Sequence, residues 1–174
     1  ICLFSYIEYF AAKSQWNIFG GWDARYFWNL KGKFLYRDPA LWKNMFAGVF
    51  EWAHPGYPLL LPGIYAWGWH TVGREMLVWP AFTALVFTLS LTGLIFWYVA
   101  SYTHIPAGFL AASYFLNIDM YRFWSTTQYA DIPLALYMTV AGLMLLVGLR
   151  SPGTAFFLLA GASTGLALWC KDEG

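Results

Sequence analysis

Charge is what this chain most lacks. Asp, Glu, Lys and Arg make up 11% of its 174 residues, against about 25% in an ordinary soluble domain. None of the four occurs between Met76 and Ile118, between Ile132 and Leu149, or between Thr154 and Cys170. Runs of this kind suit a bilayer, whose core takes roughly 20 apolar residues per helix. Water is therefore not the expected main solvent. The formal net charge is +1, which excludes the basic footprint of a nucleic-acid binder. The 2 cysteines, Cys2 and Cys170, stand at opposite ends of the chain and form neither a disulfide framework nor a metal-ligand spacing. There is no P-loop, no zinc spacing, no Ser-His-Asp pattern and no glycine-rich dinucleotide turn. The opening Ile1-Cys2-Leu3-Phe4 has no Met and no basic stretch before it, so it does not read as a signal peptide.

What is present is apolar and aromatic: 60% hydrophobic residues and 22% Phe, Trp and Tyr. Ile1 to Phe10 reads as the end of a truncated first membrane helix, and the whole as a piece of a longer protein. Residues 11–75 hold most of the charges and are expected outside the hydrocarbon. Within them Gly20-Gly21-Trp22-Asp23 forms a turn, and Ala24 to Leu35 forms a helix with Asp23 as N-cap. A second short helix is expected after Pro39, through Trp42, Phe46 and Val49. Pro55 to Trp69 is too short to cross and contains Pro58, Pro62, Gly63 and Gly68; it reads as a broken interfacial helix flanked by amphipathic aromatics.

Residues 76–174 form the membrane part. The uncharged stretch 76–118 is long enough for two helices, and Pro106 sets the break near Tyr102 to Pro106. A polar stretch, 119–131, serves as a second external loop. A third span runs from Ile132 to Leu149, turns at Arg150-Ser151-Pro152-Gly153, and returns as a fourth from Thr154 to Cys170. The fourth carries Gly161, Ala162, Ser163 and Gly165, small enough for close helix contact. The expected fold is an all-α integral membrane bundle of about four transmembrane helices plus a partial first one. With Pro55 to Trp69 not crossing, two spans separate Asp23 from Asp131. Both carboxylates and Lys171 then lie on one side, with His104 and Arg150 on the other.

Asp23 and Asp131 are the candidate catalytic carboxylates, one in a Trp-rich turn and one at the start of a span. Each also reads as a plain helix-terminal acid, placed there by the cap or the helix dipole. His54 and Tyr57, at the head of the interfacial segment, are candidates for contact with a sugar or phosphate. Lys171 is a candidate phosphate ligand, or equally a lysine reaching for lipid headgroups. Arg25, Arg74 and Arg122 are further cations on the same side.

Taken in order, Trp22-Asp23-Ala24-Arg25 with Trp28-Asn29-Leu30-Lys31, His54-Pro55-Gly56-Tyr57-Pro58, Tyr129-Ala130-Asp131-Ile132-Pro133, and Lys171-Asp172-Glu173-Gly174 resemble the amino-terminal half of GT-C membrane glycosyltransferases. Within that class the chain is similar to the branch related to dolichyl-phosphate-mannose protein mannosyltransferases and lipid A aminoarabinose transferase. The resemblance implies transfer of a sugar, with inversion, from a polyprenyl-phosphate donor to a glycan, lipid or protein acceptor. It implies a bacterial or archaeal plasma membrane with the site facing the periplasm or outside. Asp23 would be the base, Asp131 would shape the site, and Lys171 with Glu173 would lie near the lipid phosphate; Arg25, His54 and Tyr57 complete the binding residues. Where relatives often carry Asp and Asn, this chain has Gly56 and Asp172. A divalent metal is not favoured, since Asp131 has no acidic neighbour. Two other classes stay open: a transporter or lipid flippase, which predicts ionisable groups at mid-span, and a non-catalytic membrane subunit.

Overall fold

The computed structural model describes residues 3–38, 40–151 and 153–174, and among them there are helices and turns but no strand. The expectations resting on Ile1, Cys2, Pro39 and Pro152 lie outside the described residues.

Helix α1 spans Leu3–Trp16. It continues past Phe10, because Ala11, Ala12 and Lys13 are good helix formers and polarity limits membrane depth rather than helicity. A π-helical turn, Ala24–Trp28, feeds directly into α2, Asn29–Arg37, with the Asn29 amide donating to the Ala24 carbonyl. Two 3-10 turns, Trp42–Phe46 and Gly48–Ala53, replace the expected second short helix. The extended Ala47 (ψ 145°) between them interrupts the helical path.

Helix α3, Leu60–Val72, begins beyond the proline-rich head of the interfacial segment. Pro62 falls in its first turn, where no amide partner is needed. At 13 residues it is about 20 Å long, short of the roughly 30 Å core. It packs on α2, where Gly32 leaves room for the Tyr65 Cβ, the Pro62 carbonyl and the Trp69 ring.

Helix α4, Val78–Tyr102, and α7, Asp131–Arg150, are long and apolar enough to cross a membrane. Between them the chain turns at His104, whose Nδ1 accepts the Ala107 amide at 3.0 Å, and rises as α5, Ile105–Phe115. The break at Tyr102 to Pro106 is thus observed. Gly108 allows the α4 and α5 backbones close contact, since a Cβ there would meet the Ala100 Cβ at 2.8 Å. After Ile118 the chain resumes as α6, Asp119–Thr126, in the stretch expected to be a loop. The Tyr121 hydroxyl meets Thr92 Oγ1 at 3.0 Å and the Thr88 carbonyl at 2.8 Å, which sets α6 against the middle of α4. Tyr6 donates to Ser125 Oγ at 2.6 Å, tying α1 to the same helix. Helix α8, Thr154–Cys170, runs back antiparallel to α7. The outer faces of these two helices are apolar and uncovered, with Leu145, Leu146, Leu149, Leu158 and Leu159 exposed.

Arg150, at the foot of α7, lies over the Tyr102 ring at the foot of α4 (5.6 Å). His104 and Arg150 therefore share one end of the bundle. The starts of α4 and α7 and the end of α8 share the other.

Candidate functional site

The site is assembled by a clasp between two turns far apart in sequence. Gly20 has φ +70°, a left-handed conformation that glycine adopts freely. The Gly21 amide donates to the Thr127 carbonyl at 2.8 Å, and Asp23 offers its own amide to Tyr129 Oη at 3.4 Å. A side chain at Gly21 would overlap the Tyr129 ring at 2.5 Å. Gln128, almost fully buried and also left-handed (φ 61°), donates to the Ile18 carbonyl at 3.2 Å. Its Oε1 accepts from Asn29 at 3.4 Å. Thus Gly20-Gly21-Trp22-Asp23 is fastened to Thr127-Gln128-Tyr129-Ala130-Asp131, and the two acidic residues come to one end of the bundle.

Asp23 lies in helical geometry (φ −61°, ψ −38°) and its carboxylate makes no capping bond. The expected N-cap role is therefore not what its side chain does. Desolvation by burial raises its pKa above the usual carboxylate value; Asp131 adds to the rise, while Lys171 and His54 oppose it. Asp131 is the first residue of α7, one past the N-cap Ala130; its Oδ1 accepts from Lys171 Nζ at 3.2 Å. Glu173 Oε1 stands 3.4 Å from the same ammonium. Burial depresses the Lys171 pKa, but the Asp131 and Glu173 carboxylates outweigh it and leave it raised, so the ammonium is charged. The adjacent Cys170, fully buried, holds the end of α8 under the start of α7, with its Sγ 3.6 Å from the Ala130 carbonyl.

His54 and Tyr57 form the next wall. Their rings stack at 5.0 Å and 15°, and Tyr57 stacks in turn on Trp28 at 5.4 Å and 10°. Phe27 stands edge-on to all three, 4.8 Å from His54, 6.0 Å from Tyr57 and 6.4 Å from Trp28. It therefore flanks the ladder rather than capping its end, and the outermost ring, His54, is exposed. His54 holds φ 47°, a left-handed backbone that costs an L residue roughly 1–2 kcal/mol. Burial raises the Tyr57 pKa, and Glu173, Asp172 and Asp23 raise it further against Lys171. Contacts thus join Lys171 to Asp131 and Glu173 on one side and His54 to Tyr57 on the other, and Asp23 feels both sets electrostatically.

Arg25 does not join it: the side chain is exposed and lies over the Phe19 ring at 5.3 Å. Arg122 sits over Tyr9 at 4.0 Å, and Arg74 is exposed. Among the described residues, no three His, Cys, Asp or Glu side chains gather as a metal group.

Lys31 is the residue that sequence reasoning passed over. It is 1% exposed, and its ammonium donates to the His54 carbonyl at 2.6 Å and the Tyr57 carbonyl at 3.1 Å. Burial pulls its pKa down to about 8 against the pull of Asp172. The available signal was its spacing: Ala24, Trp28 and Lys31 recur on one helical face, and the first two are core residues.

Comparison with known proteins adds no family to this geometry: no protein-family model, no curated protein and no solved structure matches the chain.

Proposed function

We propose that the chain belongs to an integral membrane glycosyltransferase of the GT-C type, which moves a sugar from a polyprenyl-phosphate donor to an acceptor hydroxyl. The observation that carries this reading is the gathering of Asp23, Asp131, Lys171, His54 and Tyr57 at one end of a helical bundle with two helices long enough to cross a membrane. Uncovered leucines along α7 and α8 suit lipid contact, since contiguous apolar surface of that extent is uncommon on water-soluble monomers. Helices α5 with α6, and α8, complete about four spans, and α1 is tied to α6 through Tyr6 and Ser125. Helices α4 and α8 carry no charge and α7 carries its two at its ends, Asp131 and Arg150, which favours surface chemistry on a lipid headgroup over a transport path between these helices.

In this reading Asp23 takes the proton of the acceptor hydroxyl as its oxygen attacks the anomeric carbon. A carboxyl raised by burial is a better base than a solvated one, so its environment suits the role. The bond from that carbon to the phosphate oxygen breaks on the opposite face, and inversion follows. Lys171 meets the charge that grows on the departing polyprenyl phosphate, and Asp131 with Glu173 holds the ammonium in place. Membranes bearing the protein are to be supplied with a panel of polyprenyl-phosphate sugars, reading release of polyprenyl phosphate. Donor-specific release supports the assignment; movement of an intact lipid or solute across the membrane without release supports a transporter instead.

A further inference from the structure

Lys31 is a buried cation, and among the described residues no carboxylate is bonded to it. Its two hydrogen bonds go to main-chain carbonyls, those of His54 and Tyr57, the first and last residues of the turn that carries the stacked rings. The turn closes on itself, with the Tyr57 amide donating to the His54 carbonyl at 3.0 Å, and it begins at a residue held left-handed, at φ 47°. A strained turn of this kind persists where its surroundings over-determine it. Trp28, three residues before Lys31 and nearly fully buried, stacks on Tyr57. One helix therefore holds the turn twice, by a ring face and by an ammonium.

We infer that Lys31 is a positioning residue: by fixing the His54 and Tyr57 carbonyls it holds the Trp28, Tyr57 and His54 ring ladder so that the exposed His54 ring, 4.8 Å from Phe27, walls the donor-sugar site on the helical face that Phe27 shares with Asp23. The inference rests on the glycosyltransferase reading for the sugar and on the geometry alone for the pinning. An aromatic wall next to carboxylates is suited to a pyranose, whose apolar ring face packs on a ring while its hydroxyls donate to acids. Lys31 itself, nearly without exposed surface, is placed to act only through the turn. A lowered pKa of about 8 fits an amine chosen for its donors: a neutral amine still carries two N–H groups for two carbonyls.

The experiment has two readouts on the full protein in membranes or detergent. Amide exchange at His54 and Tyr57, both hydrogen-bonded here, is compared in wild type, Lys31→Met and Lys31→Arg, with α4 and α7 amides as the control for the fold. The expected result is at least about tenfold faster exchange at the turn in Lys31→Met, with the control helices unchanged and recovery to within about threefold in Lys31→Arg. Equal exchange in wild type and Lys31→Met overturns the pinning. Should Lys31→Met not fold, Lys31→Gln, whose amide stops about one bond short of the two carbonyls, takes its place under the same criterion. The second readout is steady-state kinetics with any polyprenyl-phosphate sugar the wild type turns over. The proposal requires the KM for donor to rise about tenfold or more in Lys31→Met with kcat nearly kept, and requires little further loss when His54→Ala is added. Additive losses, or a fall in kcat alone, overturn the wall. If wild type turns over no donor, the glycosyltransferase reading and the sugar wall fall together, while the exchange result still decides whether Lys31 pins the turn.

Discussion

Lys171 Nζ stands 3.2 Å from Asp131 Oδ1, joining the residue that follows α8 to the first residue of α7 at the end of the bundle where Asp23 also lies. Both partners act on Asp23, in opposite directions. Asp131→Asn removes a negative neighbour and lowers the Asp23 pKa; Lys171→Met removes a positive one and raises it. Carbon NMR of the labelled aspartate carboxyls through a pH titration checks both signs. A shift in the same direction in the two variants contradicts the proposed cluster.

Because the folded-state pKa of Asp23 is raised, its ionised form is disfavoured by folding. The group's contribution to stability is therefore unfavourable at pH values above the folded pKa and is relieved as pH falls through it. Asp23→Asn, which has no charge to desolvate, is expected to keep or slightly raise Tm at pH 7. A marked fall in Tm would mean that the carboxylate is a structural bond rather than a held base.

Gly20 sits where a side chain is doubly opposed. Its φ of +70° is left-handed, and a Cβ would lie 2.6 Å from the Thr127 carbonyl oxygen and 2.7 Å from the Ala24 Cβ. Gly20→Ala should destabilise by about 2 kcal/mol or more, combining left-handed strain with a main-chain overlap. It should also part the two turns, so that Asp23 titrates nearer an ordinary carboxylate. Thermal denaturation with the same NMR titration tests both effects.

Lys31 gives a prediction of opposite sign to the usual paired lysine. Its folded pKa is lowered to about 8 from 10.5, so between these values the unfolded chain binds more protons than the folded one. Stability from this group accordingly rises with pH across that window. The difference in Tm between wild type and Lys31→Met should move in favour of wild type from pH 8 to 10.5. A flat difference would mean that Lys31 is hydrated in the folded protein.

Much of the bundle could be read from the sequence because hydropathy and proline act locally. The uncharged runs gave α4, α7 and α8, and Pro106 marked the turn capped by His104. Where packing decides, the pattern was silent. Asp119 to Asp131 reads as a polar loop, yet Tyr121 and Ser125 place their hydroxyls on Thr88, Thr92 and Tyr6 and make α6 part of the bundle. Span counting placed Asp23, Asp131 and Lys171 on one side, but could not tie the Asp23 turn to the start of α7; that depends on Gly20, Gln128 and Tyr129, whose roles appear only once the two turns meet. Arg25 shares the Trp-Asp-Ala-Arg run with Asp23, but residues two apart on a helix do not face each other, and its side chain lies over Phe19 instead. Lys31 was masked by its charge, since a lysine in a polar segment is expected at the surface.

The most direct test of the central claim is donor turnover by Asp23→Asn against wild type in membranes at matched expression, with donor binding measured alongside. The account predicts a loss of transfer of at least about a hundredfold with donor binding retained, as expected for removal of a general base. Transfer equal to wild type would contradict it and leave Asp23 as one more polar residue at the start of a helix.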